Sequence, residues 1–199
     1  MSVWTISAQP GTPGVEVATE LAARADVPFF DRKALEPVVH GLNPDLGALD
    51  DVEGRFGGRL SLFSLAVAMS YGAPGAYREL ELRRTLPELG RKVMHEVARN
   101  PVVVLASGAA FALADHSGAV HVRLWAPLDW RVSAYARAHV VNKELAAHDV
   151  QHADHVEHTW IRALFDVRVD DPALYTVFVD VSRLPPDRIV ELLLAAGGR

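Results

Sequence analysis

The run VVVLASG, Val102–Gly108, limits the possible folds more than any other stretch of the chain. Opened by Pro101, it is apolar at every position as far as Ala106. A strand with one wet face alternates apolar and polar residues, whereas an unbroken apolar strand has to be covered on both faces, as in the interior of a parallel sheet. Parallel strands also need long crossover connections, usually helices. The remaining segments supply them. VWTIS (Val3–Ser7) leads through QPGTPG into a helical pattern with Val17, Ala18, Leu21 and Ala22 on one stripe, and Phe29–Phe30 follow as a brief buried strand after Pro28. AVHVRLWAP (Ala119–Pro127) reads as another strand, followed by the helices WRVSAYARAHVV and KELAAHDVQHADHVEHTWIRALF. YTVFVDVSRL (Tyr175–Leu184) is the last strand, and PPDRIVELLLAAGG is a helix with prolines at its start and glycines at its end. Strands alternating with helices define an α/β sandwich with right-handed crossovers.

Between these segments, residues 33–100 read as mainly helical. HGLNPDLGALDDVEGRFGG is broken by glycine and Pro44, while LSLFSLAVAMSYG and YRELELRRTLPELGRKVMHEVARN read as helices, the second restarting near Pro87. At 199 residues, half of them hydrophobic, the chain can bury one continuous core. The formal charge of −5 gives no electrostatic reason to expect nucleic acid or an anionic membrane as partner. With no cysteine there is no disulfide, thiolate metal site or cysteine nucleophile. The start MSVWTISAQPG has no basic segment and apolar stretch of the secretory kind, and LSLFSLAVAM falls short of the ~20 residues of a membrane span, so a soluble, cytoplasmic protein is expected.

The strand–turn–helix at the N-terminus has the outline of a phosphate loop. Such loops work because successive backbone N–H groups converge on the anion at the positive end of the following helix, and a lysine followed by Ser/Thr usually adds charge and a Mg²⁺ ligand. Gly11 and Gly14 are present, Thr12 offers a hydroxyl and Ser7 ends the strand, but Pro13 removes one N–H and no lysine lies between Val3 and Arg32. Two glycines also serve an ordinary strand–turn–helix, so the turn alone leaves both readings open.

Read together, TISAQPGTPGVEVATELAARADVPFFDRKALE, VVVLASGAAFAL, HVRLWAPLDWRV and DPALYTVFVDVSRLPPDRIVELL resemble the cytidylate-kinase-like family, divergent relatives of cytidylate kinase among the P-loop nucleoside monophosphate kinases. The resemblance covers residues 3–35 and 101–195, and HVRLWAPLDWRV is its most distinctive piece. It implies a P-loop kinase-like three-layer sandwich with a parallel sheet, a helical insertion and a lid. The core would be 1–35, 101–132 and 171–199, the insertion 36–100 and the lid 133–170. By the same resemblance, Ser7, Gly11, Thr12 and Gly14 fall in the phosphate loop, Asp31 and Arg32 beside the acceptor nucleotide, Arg131 at the start of the lid-bearing helix as the catalytic cation, and Asp149 with His152 in the lid. ATP would be the donor and CMP or a similar nucleotide the acceptor, with Mg²⁺ accompanying the bound nucleotide.

Departures from the family pattern concentrate on cations. Ala8 replaces the loop arginine, Pro13 a glycine, Ser107 an arginine of a Gly-Arg-Gly-type sequence, and His152 another arginine. Phosphoryl transfer depends on positioning and on neutralising developing charge, so these losses point to weak or absent activity unless Arg123, Arg137, Arg162 or Arg168 compensates. A silent module that binds a nucleotide, a protein partner or a second copy of itself is the alternative. A third reading rests on HDVQHADHVEH: His148, His152 and His155 share a helix face near Asp149 and Glu157, which suits a divalent transition metal, a solvated face, or imidazoles that gain charge beside phosphate as pH falls. The predicted metal assignment is none. Trp4, Trp125, Trp130 and Trp160 are expected in the core, and no G-x-S-x-G nucleophile motif is present.

Overall fold

A computed structural model describes residues 2–31, 34, 35, 38, 88 and 90–198. Five parallel strands form one sheet in the order β2-β3-β1-β4-β5. They are β1 (Val3–Ala8), β2 (Phe29–Phe30), β3 (Val102–Leu105), β4 (Ala119–Trp125) and β5 (Val177–Asp180). The helices described in full are α1 (Gly14–Ala25), α2 (Ala109–Ala112), α3 (Leu128–His139), α4 (Lys143–Phe165) and α5 (Pro186–Ala196), with a 3₁₀ turn at Pro172–Leu174.

The apolar run at 102 behaves as its composition requires. Val102 and Val104 are buried in one core cluster with Ile161 and Val169, and Val103 is buried in the other with Leu21 and Ile189. The strand is shorter than expected and stops at Leu105: Ala106 still gives its N–H to the Ile6 carbonyl of β1 (3.0 Å), but its own carbonyl is taken by Ala109 N–H (3.1 Å) as α2 begins. The last strand is also shorter than Tyr175–Leu184. Tyr175 donates its N–H to Pro172 in the 3₁₀ turn, and the Asp180 carboxylate accepts from the N–H (3.0 Å) and hydroxyl (2.6 Å) of Ser182, which closes the strand.

On one side of the sheet, α1 and α5 cover Trp4, Ile6, Val122 and Leu124. Trp4 is fully buried and its indole N–H reaches the Leu193 carbonyl at 2.9 Å. Helices α3 and α4 form a hairpin joined through Val140–Asn142, sealed by Val132, Ala146 and Val150. The Asn142 side chain caps α4 by accepting from Leu145 N–H (2.8 Å). This hairpin occupies the stretch expected to carry a lid. Of the expected insertion, 90–97 is helical, while LSLFSLAVAMSYG and most of the preceding segment lie outside the described residues. No helix among the described residues is long and apolar enough to cross a membrane.

Candidate functional site

The turn between β1 and α1 sits at the carboxyl end of the central strand. Gln9 continues the β1–β4 ladder by donating its N–H to Leu124 (3.0 Å), and its side-chain oxygen accepts from Ala126 N–H (3.2 Å). Thr12 folds back on Gln9, giving that carbonyl both its N–H (3.1 Å) and its hydroxyl (2.6 Å). Both glycines are required by geometry. Gly11 has φ +84°, and a Cβ there would lie 2.5 Å from the Arg131 carbonyl oxygen. A Cβ on Gly14 would lie 2.4 Å from that of Ala8. Pro13 precedes the first turn of α1, which has no side-chain cap.

Two buried arginines flank this turn. Arg131, near the start of α3, is 5% exposed and packs its backbone against Gly11. Its guanidinium donates to the carbonyls of Ala126 (3.0 Å) and Pro10 (3.4 Å) and makes a two-pronged pair with Asp154 of α4 at 3.0 and 2.8 Å. Arg123 of β4 is fully buried under the turn, in register with Ser7. It donates to the Ser7 hydroxyl (2.6 Å), to both Glu157 oxygens (3.0 and 2.8 Å) and to Asp170 (3.1 and 2.7 Å). Burial alone would lower the Arg123 pKa; the charge and hydrogen bonds of Glu157, with the charge of Asp170 added, together outweigh it, so the group is held firmly protonated. Asp170 also meets His158 Nε2 at 2.8 Å. Beside it Tyr175 donates to the Val169 carbonyl (2.7 Å), and burial pushes its phenol pKa well up.

Ser7, Gly11, Thr12, Gly14 and Arg131 therefore come together at one turn. Asp31 is half-buried and accepts from Ala34 N–H (3.0 Å), while Arg32 lies outside the described residues. Asp149 meets the Tyr135 hydroxyl (3.4 Å) and His148 (3.3 Å), and the His152 ring stacks on His148 with centroids 6.1 Å apart. Among the described residues no three His, Cys, Asp or Glu side chains are grouped to hold a metal ion. Of the other arginines weighed from sequence, Arg162 pairs with Asp166 and Arg168 approaches Asp171 at 4.0 Å, while Arg137 is exposed. Of the carboxylates that neutralise the two central arginines, Asp154 and Asp170 were missed by sequence reasoning, and Glu157 was weighed only as a neighbour of the histidine face. The available signal was polar residues at period two, Thr5 and Ser7 on β1 and His121 and Arg123 on β4, inside strands otherwise apolar.

A cavity of about 400 Å³ opens beside the turn, lined by Pro13, Trp130, Val181, Arg183, Leu184 and Pro185 among others. Arg183 at its rim contacts Asp180 (3.2 Å), whose pKa is lowered by hydrogen bonds from Ser182 and by the Arg183 charge. The turn itself carries no carboxylate to hold Mg²⁺, and its hydroxyls are already engaged. Thr12 gives its hydroxyl to Gln9, Ser7 is held by Arg123, α1 begins Gly14-Val15 with no hydroxyl, and β3 runs out through Ala106 and Ser107 without a carboxylate.

A parallel sheet in this strand order, with an obligatory glycine turn feeding a helix from its central strand, is the architecture of the P-loop kinases. Solved structures agree. An uncharacterized protein from Eubacterium ventriosum ATCC 27560 aligns over 99% of this chain and 98% of its own at 14% identity, with a TM-score of 0.69. A shikimate kinase from Bacteroides thetaiotaomicron aligns over 98% and 96% at 14% identity (TM-score 0.53). A gluconokinase from Sinorhizobium meliloti 1021 aligns over 100% and 92% at 17% identity (TM-score 0.52). No curated protein matches by sequence. The chain belongs to the cytidylate kinase-like family, which it matches over residues 3–183.

Proposed function

We propose that this protein binds a nucleoside triphosphate such as ATP at the β1–α1 turn and has little capacity to transfer its phosphate to CMP or a similar acceptor. Family membership supports the nucleotide; the state of the arginines supports the loss of transfer. The transition state of phosphoryl transfer needs unspent positive charge, and one arginine of this kind is worth roughly 10³–10⁵ in rate. Arg123 is enclosed by Glu157 and Asp170, and Arg131 is paired by Asp154. The pairing of Arg131 is the observation that carries the reading, because that arginine lies against the turn and can give its charge to a phosphate only after the pair with Asp154 is broken, a cost that lowers the rate. Phosphate would be held by the N-terminal N–H groups of α1 and by Gly11, whose left-handed backbone lets the chain approach an anion closely. The cavity between Pro13 and Trp130 fits a nucleobase, with an apolar wall and Arg183 at the rim. Mg²⁺ would come with the nucleotide, held by its phosphates.

Calorimetric titration with ATP and with CMP, with and without Mg²⁺, followed by a transfer assay on the same sample, tests this. The expected outcome is ATP binding with transfer far below the ~1–100 s⁻¹ of protein kinases. Transfer within that range would overturn the attenuation. No heat at millimolar nucleotide would overturn the nucleotide site and turn attention to a protein partner or self-association.

A further inference from the structure

The pairing of Arg131 has a second consequence, which rests on the nucleotide-binding reading above. Asp154 presents two oxygens to the NH1 and NH2 of Arg131 at 3.0 and 2.8 Å, the forked geometry in which arginine also grips a phosphate. The other contacts of that guanidinium go to the Ala126 and Pro10 carbonyls, which fix it at the turn, so the Asp154 edge is the one a phosphate would take. Asp154 keeps about one-fifth of its side-chain surface exposed, whereas Glu157, one turn further along α4, is enclosed around Arg123. Helix α4 is therefore anchored through Glu157 and closes over the site through Asp154.

We propose that Asp154 is an internal anion competitor: its carboxylate occupies the phosphate-binding edge of Arg131, and a polyphosphate entering the turn has to displace it. The α3–α4 hairpin is then a latch whose closed state lowers apparent affinity by the fraction of molecules in which the pair is open. Displacement frees Arg131 for the phosphate, so the same pair sets both nucleotide affinity and the position of the hairpin.

The test uses the full chain, Asp154→Asn, and inorganic tripolyphosphate as probe, with Asp129→Asn, an exposed carboxylate on α3, as the control for net charge. Calorimetry is expected to give Asp154→Asn a Kd about 10- to 100-fold below that of the unmodified chain, the span of one charge-assisted contact, and Asp129→Asn a much smaller gain. Binding by Asp154→Asn alone supports the latch equally. Equal or weaker binding by Asp154→Asn, or an equal gain in the control, overturns the latch and leaves the nucleotide reading standing. No binding by any of the folded proteins removes both. If Asp154→Asn does not fold, amide exchange in the unmodified chain decides. Tripolyphosphate should quicken exchange around 150–158 while slowing it in β1, and slowing in both segments overturns the latch.

Discussion

The two faces of the central sheet are made from the same strands, yet they are held in opposite ways. Toward α1 and α5, β1 and β4 present Trp4, Ile6, Val122 and Leu124 to an apolar core. Toward α4 they present Thr5, Ser7, His121 and Arg123, linked to each other and to Glu157 and Asp170 by hydrogen bonds and ion pairs. The apolar face is non-directional and tolerates small changes of shape. Its counterpart depends on every partner being present, since a buried charge left alone is costly. The lesson is that a kinase-type frame can keep its arginines while spending their charge internally.

Substitutions at matched depth break the comparison most sharply. Glu157→Ala leaves the fully buried Arg123 short of its main partner and should cost about 3–5 kcal/mol, against about 0.5–1.5 kcal/mol for Ile6→Val on the opposite face. Urea unfolding measures both. Replacing Arg123 and Glu157 together with Met and Leu should cost less than Glu157→Ala alone; if it costs more, the polar face stabilises the fold outright.

At the edge where the two faces meet the turn, Gly11→Ala should cost about 2 kcal/mol or more, because it combines left-handed backbone with a contact on the Arg131 carbonyl. A smaller loss would mean that the turn and α3 are free to separate. At the tip of the hairpin, Val140 is a β-branched residue at φ 55° and 91% exposed. Val140→Gly should raise stability by about 1 kcal/mol, readable as a higher Tm.

The smallest effect sharpens the contrast by pH. His121 sits on the polar face with Nδ1 2.8 Å from the Thr5 hydroxyl, and burial pulls its pKa below the ordinary 6.5. The folded protein therefore holds this proton less tightly than the unfolded chain does. Stability present above pH 6.5 is lost as the pH falls from there through the folded value. Thermal melts from pH 8 to pH 5 should show Tm falling on the acid side, with a shallower fall in His121→Gln. An identical slope in the variant would assign the acid sensitivity to another group.

Much of the frame was legible because patterning determines it. The unbroken run at 102 announced a strand covered twice, the glycines at 11 and 14 announced the turn, and the polar run 143–165 gave α4 its full length. Strand ends were less legible, since they are set by single turn bonds, Ala109 N–H to the Ala106 carbonyl and Tyr175 N–H to the Pro172 carbonyl, that apolar patterning does not encode. The site was legible at the turn and opaque around it. A sequence shows that Arg123 and Arg131 exist, whereas their meaning depends on carboxylates 34 and 47 positions away for Arg123 and 23 for Arg131. The histidine face drew attention by composition, yet on α4 the residues that hold the two buried arginines are Asp154 and Glu157, between and beyond those histidines.

A ³¹P NMR time course of ATP and CMP with stoichiometric protein and Mg²⁺ tests the central claim most directly, because it reads binding and transfer in one sample. The account predicts ATP resonances that shift or broaden with protein while ADP and CDP accumulate far more slowly than ~1 s⁻¹. Unperturbed ATP lines at millimolar concentration, or conversion at ~1–100 s⁻¹, would contradict it.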